Sequence, residues 1–187
     1  MSVLIHINGY PGAGKLTLGR RLAEAIGGKL VDNHSIYNLA LALTEMKSPA
    51  YFETLRAVRV IAFQRVLELP PLTPVVVTNA HMTDSDWGNE NWDAWADLAR
   101  QRGARLLVVV LDCQADELDR RIASPERAAR RKLTDPAQFT GARTGRMLID
   151  RGGDATLRFD TTGLSPDEAF SRVLAFVTEE RAQPAGG

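Results

Sequence analysis

Five short apolar runs, each followed by a longer amphipathic stretch, constrain this chain more than any other feature. They are SVLIHIN (2–8), KLVDN (29–33), TPVVVTN (73–79), ARLLVVVLD (104–112) and ATLRFDTT (155–162). Runs this short and this continuously apolar read as strands covered on both faces. Strands that alternate with helices pair in parallel through right-handed crossovers, which makes an α/β sandwich. The longest run, 104–112, belongs in the middle of the sheet. Between the runs, a glycine loop opens a helix that extends to about Ile26, and 35–68 is mostly helical, with Ser48 as N-cap and Pro49 in the first turn. Further helices are expected over 84–103, stopped by Gly103, from about Ala115, and over 165–181. Ligands of open parallel sheets bind beyond the carboxyl ends of the strands. That rule selects five loops: 9–17, 32–36, 79–86, 112–116 and 161–165.

Length and composition exclude several classes. A chain of 187 residues suits one domain, read here as 1–182 with a flexible tail at 183–187. Formal net charge is zero, so charge gives no case for nucleic acid or for a membrane surface. No apolar run approaches the ~20 residues that span a bilayer. The start, MSVLIHING, lacks the basic segment of a signal peptide. The single cysteine, Cys113, excludes an intramolecular disulfide and suits a reducing compartment. These features read as a cytoplasmic protein; they do not reveal its oligomeric state.

The glycine loop carries the chemistry. In INGYPGAGKLTLGRR (7–21), Gly9, Gly14 and Lys15 fit the phosphate-binding pattern G-x-x-x-x-G-K-[ST]. Leu16 stands where the pattern has a magnesium-ligating hydroxyl, and the hydroxyl comes one residue later, at Thr17. Glycines let successive N–H groups turn inward toward phosphate oxygens at the positive end of a helix. Lys15 adds a full charge able to follow a phosphoryl group in transfer. A strand before the loop and a helix after it supply the context the motif requires. The bland alternative is a glycine-rich turn without a ligand.

The displaced hydroxyl points to a family. GYPGAGKLT resembles the adenylate-kinase pattern G-x-P-G-x-G-K-G-T, matching at Pro11, Gly12, Gly14, Lys15 and Thr17, with Leu16 in place of a glycine. LGRRLAEAIGGKLVDNH resembles the first helix and second strand of shikimate kinase and related small-metabolite kinases. VVVLDCQADELDRRI is similar to the strand and arginine-bearing helix before the lid of nucleoside monophosphate kinases. LRFDTTGLSPDEAFSRVLAFV resembles the closing strand, loop and helix of small P-loop kinases.

The resemblance implies a P-loop NTPase of nucleoside monophosphate kinase-like type: a three-layer sandwich around a five-stranded parallel sheet. It further implies ATP as donor, Mg2+, and a basic lid over about 120–147. Nucleotide contacts would come from Gly9, Gly12, Ala13, Gly14, Lys15, Leu16 and Thr17, with Arg121 beside the adenine and Thr161 after the last strand. Two departures bear on the acceptor. The D-x-D that ends the second strand of shikimate kinase is here Asp32-Asn33-His34, and VVVTNAHMTD replaces that enzyme's glycine-rich turn after strand three. Shikimate is therefore not the expected acceptor, and nucleotide-acceptor features are absent too. Chloramphenicol phosphotransferase shares this architecture.

Several side chains remain as candidates, each beside a plainer role. Asp32, at a strand end near the loop, is a general base, a holder of magnesium through water, or a helix-capping turn residue. Thr17 is a second candidate for the metal. His34 contacts acceptor or merely opens the next helix. The segment RRIASPERAARRKL (120–133) holds Arg120, Arg121, Arg127, Arg130, Arg131 and Lys132 against Glu126; it is a solvated helix or a lid in which Arg127 and Arg131 meet the transferred phosphoryl group. Asn79, His81, Asp84 and Trp87 are candidate acceptor contacts, whereas Trp92 and Trp95 read as core, Asp112 as a turn residue and Cys113 as packing. The combined expectation is an ATP-dependent phosphotransferase acting on a hydroxyl of a small molecule. The rival is a nucleotide-binding regulatory ATPase without such an acceptor; a polynucleotide 5′-kinase lacks an obvious basic groove.

Overall fold

The computed structural model of the chain describes residues 2–123 and 147–183. Its strands are β1 (Val3–Gly9), β2 (Lys29–Asp32), β3 (Val75–Asn79), β4 (Arg105–Asp112) and β5 (Ala155–Asp160). Its helices are α1 (Lys15–Ala25), α2 (Asn33–Leu43), α3 (Pro49–Glu68), α4 (Asp86–Gln101), α5 (Ala115–Ile122) and α6 (Pro166–Ala182). The five strands form one sheet in the order β2-β3-β1-β4-β5, and every pairing is parallel. β1 is central, with Ile5 opposite both Val76 and Leu107.

Strand order dictates the layers. From β1 the chain moves toward β2, and from β3 it crosses the other way to β4. Right-handed crossovers in opposite directions put their helices on opposite faces. On one face Val3, Ile5 and Ile7 of β1 pack with Leu18 and Leu22 of α1, Leu118 of α5, and Val173 and Val177 of α6. On the other, Leu4, Val75 and Val77 pack with Ile36 of α2, Leu55 of α3, and Trp95 and Leu98 of α4. Met82, Trp92, Leu148 and Ile149 complete that second face against Val108 and Val110. Burial on both faces explains why the three inner strands read as largely apolar runs. The edge strand β5 instead alternates half-buried and exposed positions.

Local signals set the boundaries. Ser48 Oγ accepts from the N–H of Tyr51, with Pro49 opening α3. Ser165 and Glu168 form a reciprocal capping box at the start of α6. Gly103, φ +59°, ends α4. The stretch expected to be mostly helical over 35–68 is two helices. They part at 44–48, where Thr44 turns extended and Lys47 takes φ +68°.

Polar groups interrupt the second face. His6 and His81 are each 2% exposed, and their rings stack 5.4 Å apart. Asn79 Nδ2 donates to His6 Nε2, and Asn91 Nδ2 donates to His81 Nε2, both at 3.0 Å. Arg59 occupies the Asn91 carbonyl oxygen at 3.1 Å, which fixes the other end of that amide as the donor. A ring that accepts a hydrogen bond in a dry interior is neutral. Burial lowers the His6 pKa to about 3; burial, then the nearness of His6, Lys15 and Arg59, takes His81 well below its ordinary value.

In the unfolded chain these imidazoles take up protons below about pH 6.5, so under acid the unfolded state binds more protons than the folded one. Stability is therefore complete above that pH and falls as pH drops toward the folded values, by up to about 1.4 kcal/mol per pH unit for each ring. The urea midpoint should accordingly be lower at pH 5.5 than at pH 7.5. An unchanged midpoint would show that the rings are not held neutral.

Candidate active site

A cleft of about 940 Å3 opens at the carboxyl ends of the strands, with the glycine loop and the first turn of α1 as its floor. Backbone conformation explains the glycines. Gly12 and Gly14 have φ +94° and +89°, a region that L side chains rarely adopt. A Cβ on Gly12 would also meet Ile122 at 3.1 Å and Leu118 at 3.3 Å, because α5 packs directly on the loop. Gly14 faces open space and is the N-cap of α1, with no side chain capping the helix. The positive end of α1 is thus turned toward the cleft. Lys15 Nζ donates to the carbonyl oxygens of Gly9 at 2.6 Å and Tyr10 at 2.8 Å. Those bonds hold the ammonium over the loop, where a phosphate oxygen would compete for it.

One wall comes from α5 and the loop after β5. Arg121 donates to Glu117 at 2.6 Å, and to the Thr161 hydroxyl and carbonyl at 3.2 and 2.8 Å. Arg120 adds a two-pronged pair to Glu117, both at 2.7 Å. Hydrogen bonds from Arg120 and then Arg121 pull the Glu117 carboxyl down to about 2. Near neutral pH this wall is a fixed ion-paired surface.

The opposite wall is built from β2, α2 and β3. Asp32, Asn33, His34, Thr78 and Ala80 line it. Asp32 occupies the N-cap position of α2, yet its side chain makes no capping bond. Its Oδ1 accepts from the Thr78 hydroxyl at 2.8 Å, and register places the two residues side by side on β2 and β3. The carboxylate is therefore aimed by a neighbouring strand. Leu16 and Thr17 both line the cleft, Leu16 half-buried and Thr17 exposed.

Of the residues singled out in sequence, Gly12, Ala13, Gly14, Lys15, Leu16, Thr17, Asp32, His34, Arg121 and Thr161 meet around this cleft. Gly9 lies behind them, its carbonyl held by Lys15. Asn79 and His81 do not reach the cleft: they are buried under α4 in the histidine network, each 2% exposed. Trp87 is also elsewhere. It packs among Tyr37 and Phe52, donates to the Tyr37 hydroxyl and lies under Arg59 at 5.0 Å. Asp84 is exposed on the loop before α4, outside the cleft lining. Arg127 and Arg131, with most of the expected lid, lie outside the described residues.

Thr78 and Glu117 are two of the cleft residues that the sequence reading did not single out. Thr78 looked like one more β-branched strand residue, and only its place beside Asp32 reveals a role. Glu117 falls in the first turn of α5, where an acid is ordinary for a helix. Its spacing to Arg120 and Arg121, at i+3 and i+4, was the available signal.

Comparison with known proteins agrees with this geometry. Residues 4–149 match a family profile described as an AAA domain. A gluconokinase from Sinorhizobium meliloti superposes with a TM-score of 0.63 at 20% identity, covering 95% of this chain and 93% of its own. A sugar kinase from a Janibacter species gives 0.63 at 13%, covering 95% of each. Shikimate kinase from Acinetobacter baumannii, solved with shikimate, gives 0.55 at 17%, covering 98% and 97%. At such identities the likeness is one of fold, and the fold is that of the P-loop small-molecule kinases. No curated protein matches the sequence.

The loop geometry yields a direct binding test. Lys15→Ala should weaken ADP binding by about tenfold or more, since a charge-assisted contact contributes roughly 1.5–3 kcal/mol. Calorimetric titration with a parallel melting curve separates this from misfolding; equal affinity in a folded variant would remove the loop from nucleotide binding.

Proposed function

The chain belongs to the AAA-domain family of P-loop proteins, and from that premise we propose that it is an ATP-dependent phosphotransferase acting on a hydroxyl of a small molecule. The observation that carries the reading is the Asp32 carboxylate. It faces the same cleft as the phosphate loop and is aimed by Thr78 rather than spent on capping α2.

In this reading the loop and the first turn of α1 cradle the phosphates, and Lys15 exchanges its carbonyl partners for phosphate oxygen. Arg121 and Thr161 flank the base. Asp32 accepts the proton of the acceptor hydroxyl as that oxygen attacks the γ-phosphorus, and ADP leaves with the bridging oxygen. His34, beside Asp32 on the same wall, selects the acceptor. Arg127 and Arg131 neutralise charge on the transferred group.

The donor set also suits Mg2+. Among the described residues no three His, Cys, Asp or Glu side chains cluster; the acceptor wall offers one carboxylate, Asp32, and the helix turn one hydroxyl, Thr17. Mg2+ keeps several waters and binds through one or two carboxylates plus substrate phosphates. Bound there, it would supply charge neutralisation across the β- and γ-phosphate oxygens. The likeness to a gluconokinase and a sugar kinase favours small polyhydroxylated acceptors for the first trials.

No helix among the described residues is long and apolar enough to cross a membrane. The test is ADP release from ATP across a panel of sugars, sugar acids and related alcohols, with products identified by mass spectrometry. Acceptor-stimulated release supports the phosphotransferase. Hydrolysis that no acceptor stimulates points instead to a regulatory ATPase.

Asp32→Asn should keep the fold and lower acceptor-dependent turnover by ~10²–10⁴-fold, the usual range for a general base. Thr78→Val should lose a smaller part of the same rate with little change in ATP KM, and Thr78→Ser should recover it. Full turnover in Asp32→Asn would move the base elsewhere.

A further inference from the structure

We propose that Asn8 is a positioning residue that sets the phosphate loop against the acceptor wall of the cleft. The inference rests on the phosphotransferase reading, and its test is built so that the two can fail separately.

Asn8 is fully buried, with 0% exposure, and is the last side chain of β1 before the loop. Its amide makes four hydrogen bonds. Nδ2 donates to the carbonyl oxygens of His81 and Ile149, each at 3.0 Å. Oδ1 accepts from the backbone N–H of Gly9 at 3.0 Å and of His81 at 2.8 Å. A primary amide has two donors and two principal acceptor sites, so the group is saturated. Its orientation is also fixed: flipping it would set N–H groups against N–H groups and oxygens against oxygens.

The four partners belong to three segments, two of which adjoin the cleft while the third braces the second of them. Gly9 opens the phosphate loop, and its carbonyl takes the Lys15 ammonium at 2.6 Å. His81 directly follows Ala80 on the acceptor wall, three residues after the Thr78 that aims Asp32. Ile149 lies in a short segment paired with 81–83: its N–H donates to the His81 carbonyl at 3.0 Å, and the Thr83 N–H donates to Met147 at 2.9 Å. One rigid side chain therefore fixes the distance between the loop that would hold the donor and the wall that would hold the acceptor. Misplacement by about an ångström is enough to cost a positioned reaction on the order of 10²-fold.

A plainer role is available to any buried asparagine. It satisfies backbone groups left over where β1 and β3 end, and its loss then costs stability alone. Kinetics separate the two roles. Asn8→Ala is compared with Leu98→Ala, a truncation of a fully buried α4 side chain in the core, at a temperature well below both melting points. Two quantities are read: the ADP dissociation constant by calorimetry, and kcat with KM for both substrates.

The expected result for Asn8→Ala is an ADP constant raised about threefold to tenfold and kcat lowered at least tenfold at saturating substrates, with Leu98→Ala near wild type in both. Asn8→Ser, whose hydroxyl keeps one acceptor, should fall between wild type and Asn8→Ala, and it replaces Asn8→Ala should that variant not fold. Equal kcat and equal ADP affinity in the two truncations overturns the proposal. Weakened ADP binding with unchanged kcat overturns the link to the acceptor wall. A wild-type protein with no acceptor-stimulated turnover defeats the functional reading instead, and the ADP measurement alone then decides whether Asn8 sets the loop.

Discussion

β1 is hydrogen-bonded along both edges and covered on both faces, and the rest of the molecule is arranged around that fact. All seven of its residues are buried. Side chains alternate along a strand, so Val3, Ile5 and Ile7 meet α1 and α6 while Leu4, His6 and Asn8 turn toward α4. Water does not reach the second set, so the two polar members need partners within the protein. Asn79, two positions along β3 from the register partner of His6, answers His6; backbone from three segments answers Asn8. The polar interior of the second face follows from two residues in an otherwise apolar strand.

Centrality also decides where the cleft can be. A strand flanked on both sides delivers its carboxyl end to the middle of the sheet, between the ends of β3 and β4. A loop leaving that point turns sharply over its neighbours, which the left-handed Gly12 and Gly14 permit. The two walls then differ in kind. Near Arg121 the charges are already paired, with Glu117 held ionised far below neutrality. Near Asp32 the partner is a neutral hydroxyl, that of Thr78, which orients the carboxylate.

Much of this was legible because it depends on local pattern. Largely apolar runs marked the inner strands, Ser48 and Pro49 marked a helix start, and the loop announced itself through glycines and one lysine. Asn79, His81 and Trp87, read from sequence as acceptor contacts, lie outside the cleft lining because their surroundings come from distant segments. A polar residue at a strand end looks the same whether it faces a cleft or a helix. For Trp87 a local signal existed: residues 87, 91, 95 and 98 lie on one helical face, and three of them, Asn91, Trp95 and Leu98, are buried. Asn8 and His6 offered another, since polar residues two apart in an apolar strand share a face and need an internal partner. Thr78 carried none; its meaning lies in the pairing of β2 with β3.

The displaced hydroxyl of the loop takes its meaning from helix geometry. α1 begins at Lys15, so residues 16 and 17 both lie in its first turn. One residue along a helix is a rotation of about 100° and a rise of about 1.5 Å, and Thr17 cannot present its oxygen where a hydroxyl at 16 would. Leu16 fills that direction with an apolar side chain on the lining of the cleft. Under the proposed function, a metal bound with the phosphates would draw mostly on water and phosphate oxygen, and Asp32 and Thr17 are the cleft side chains that would help to hold it. A base and a metal-water ligand would make the same demand on Asp32: an ionised carboxylate held still. The Thr78 hydroxyl would supply the holding. Under the proposed function the altered loop and the strand-aimed aspartate would be two halves of one arrangement, in which the protein contributes orientation and a metal would draw mostly on substrate and water.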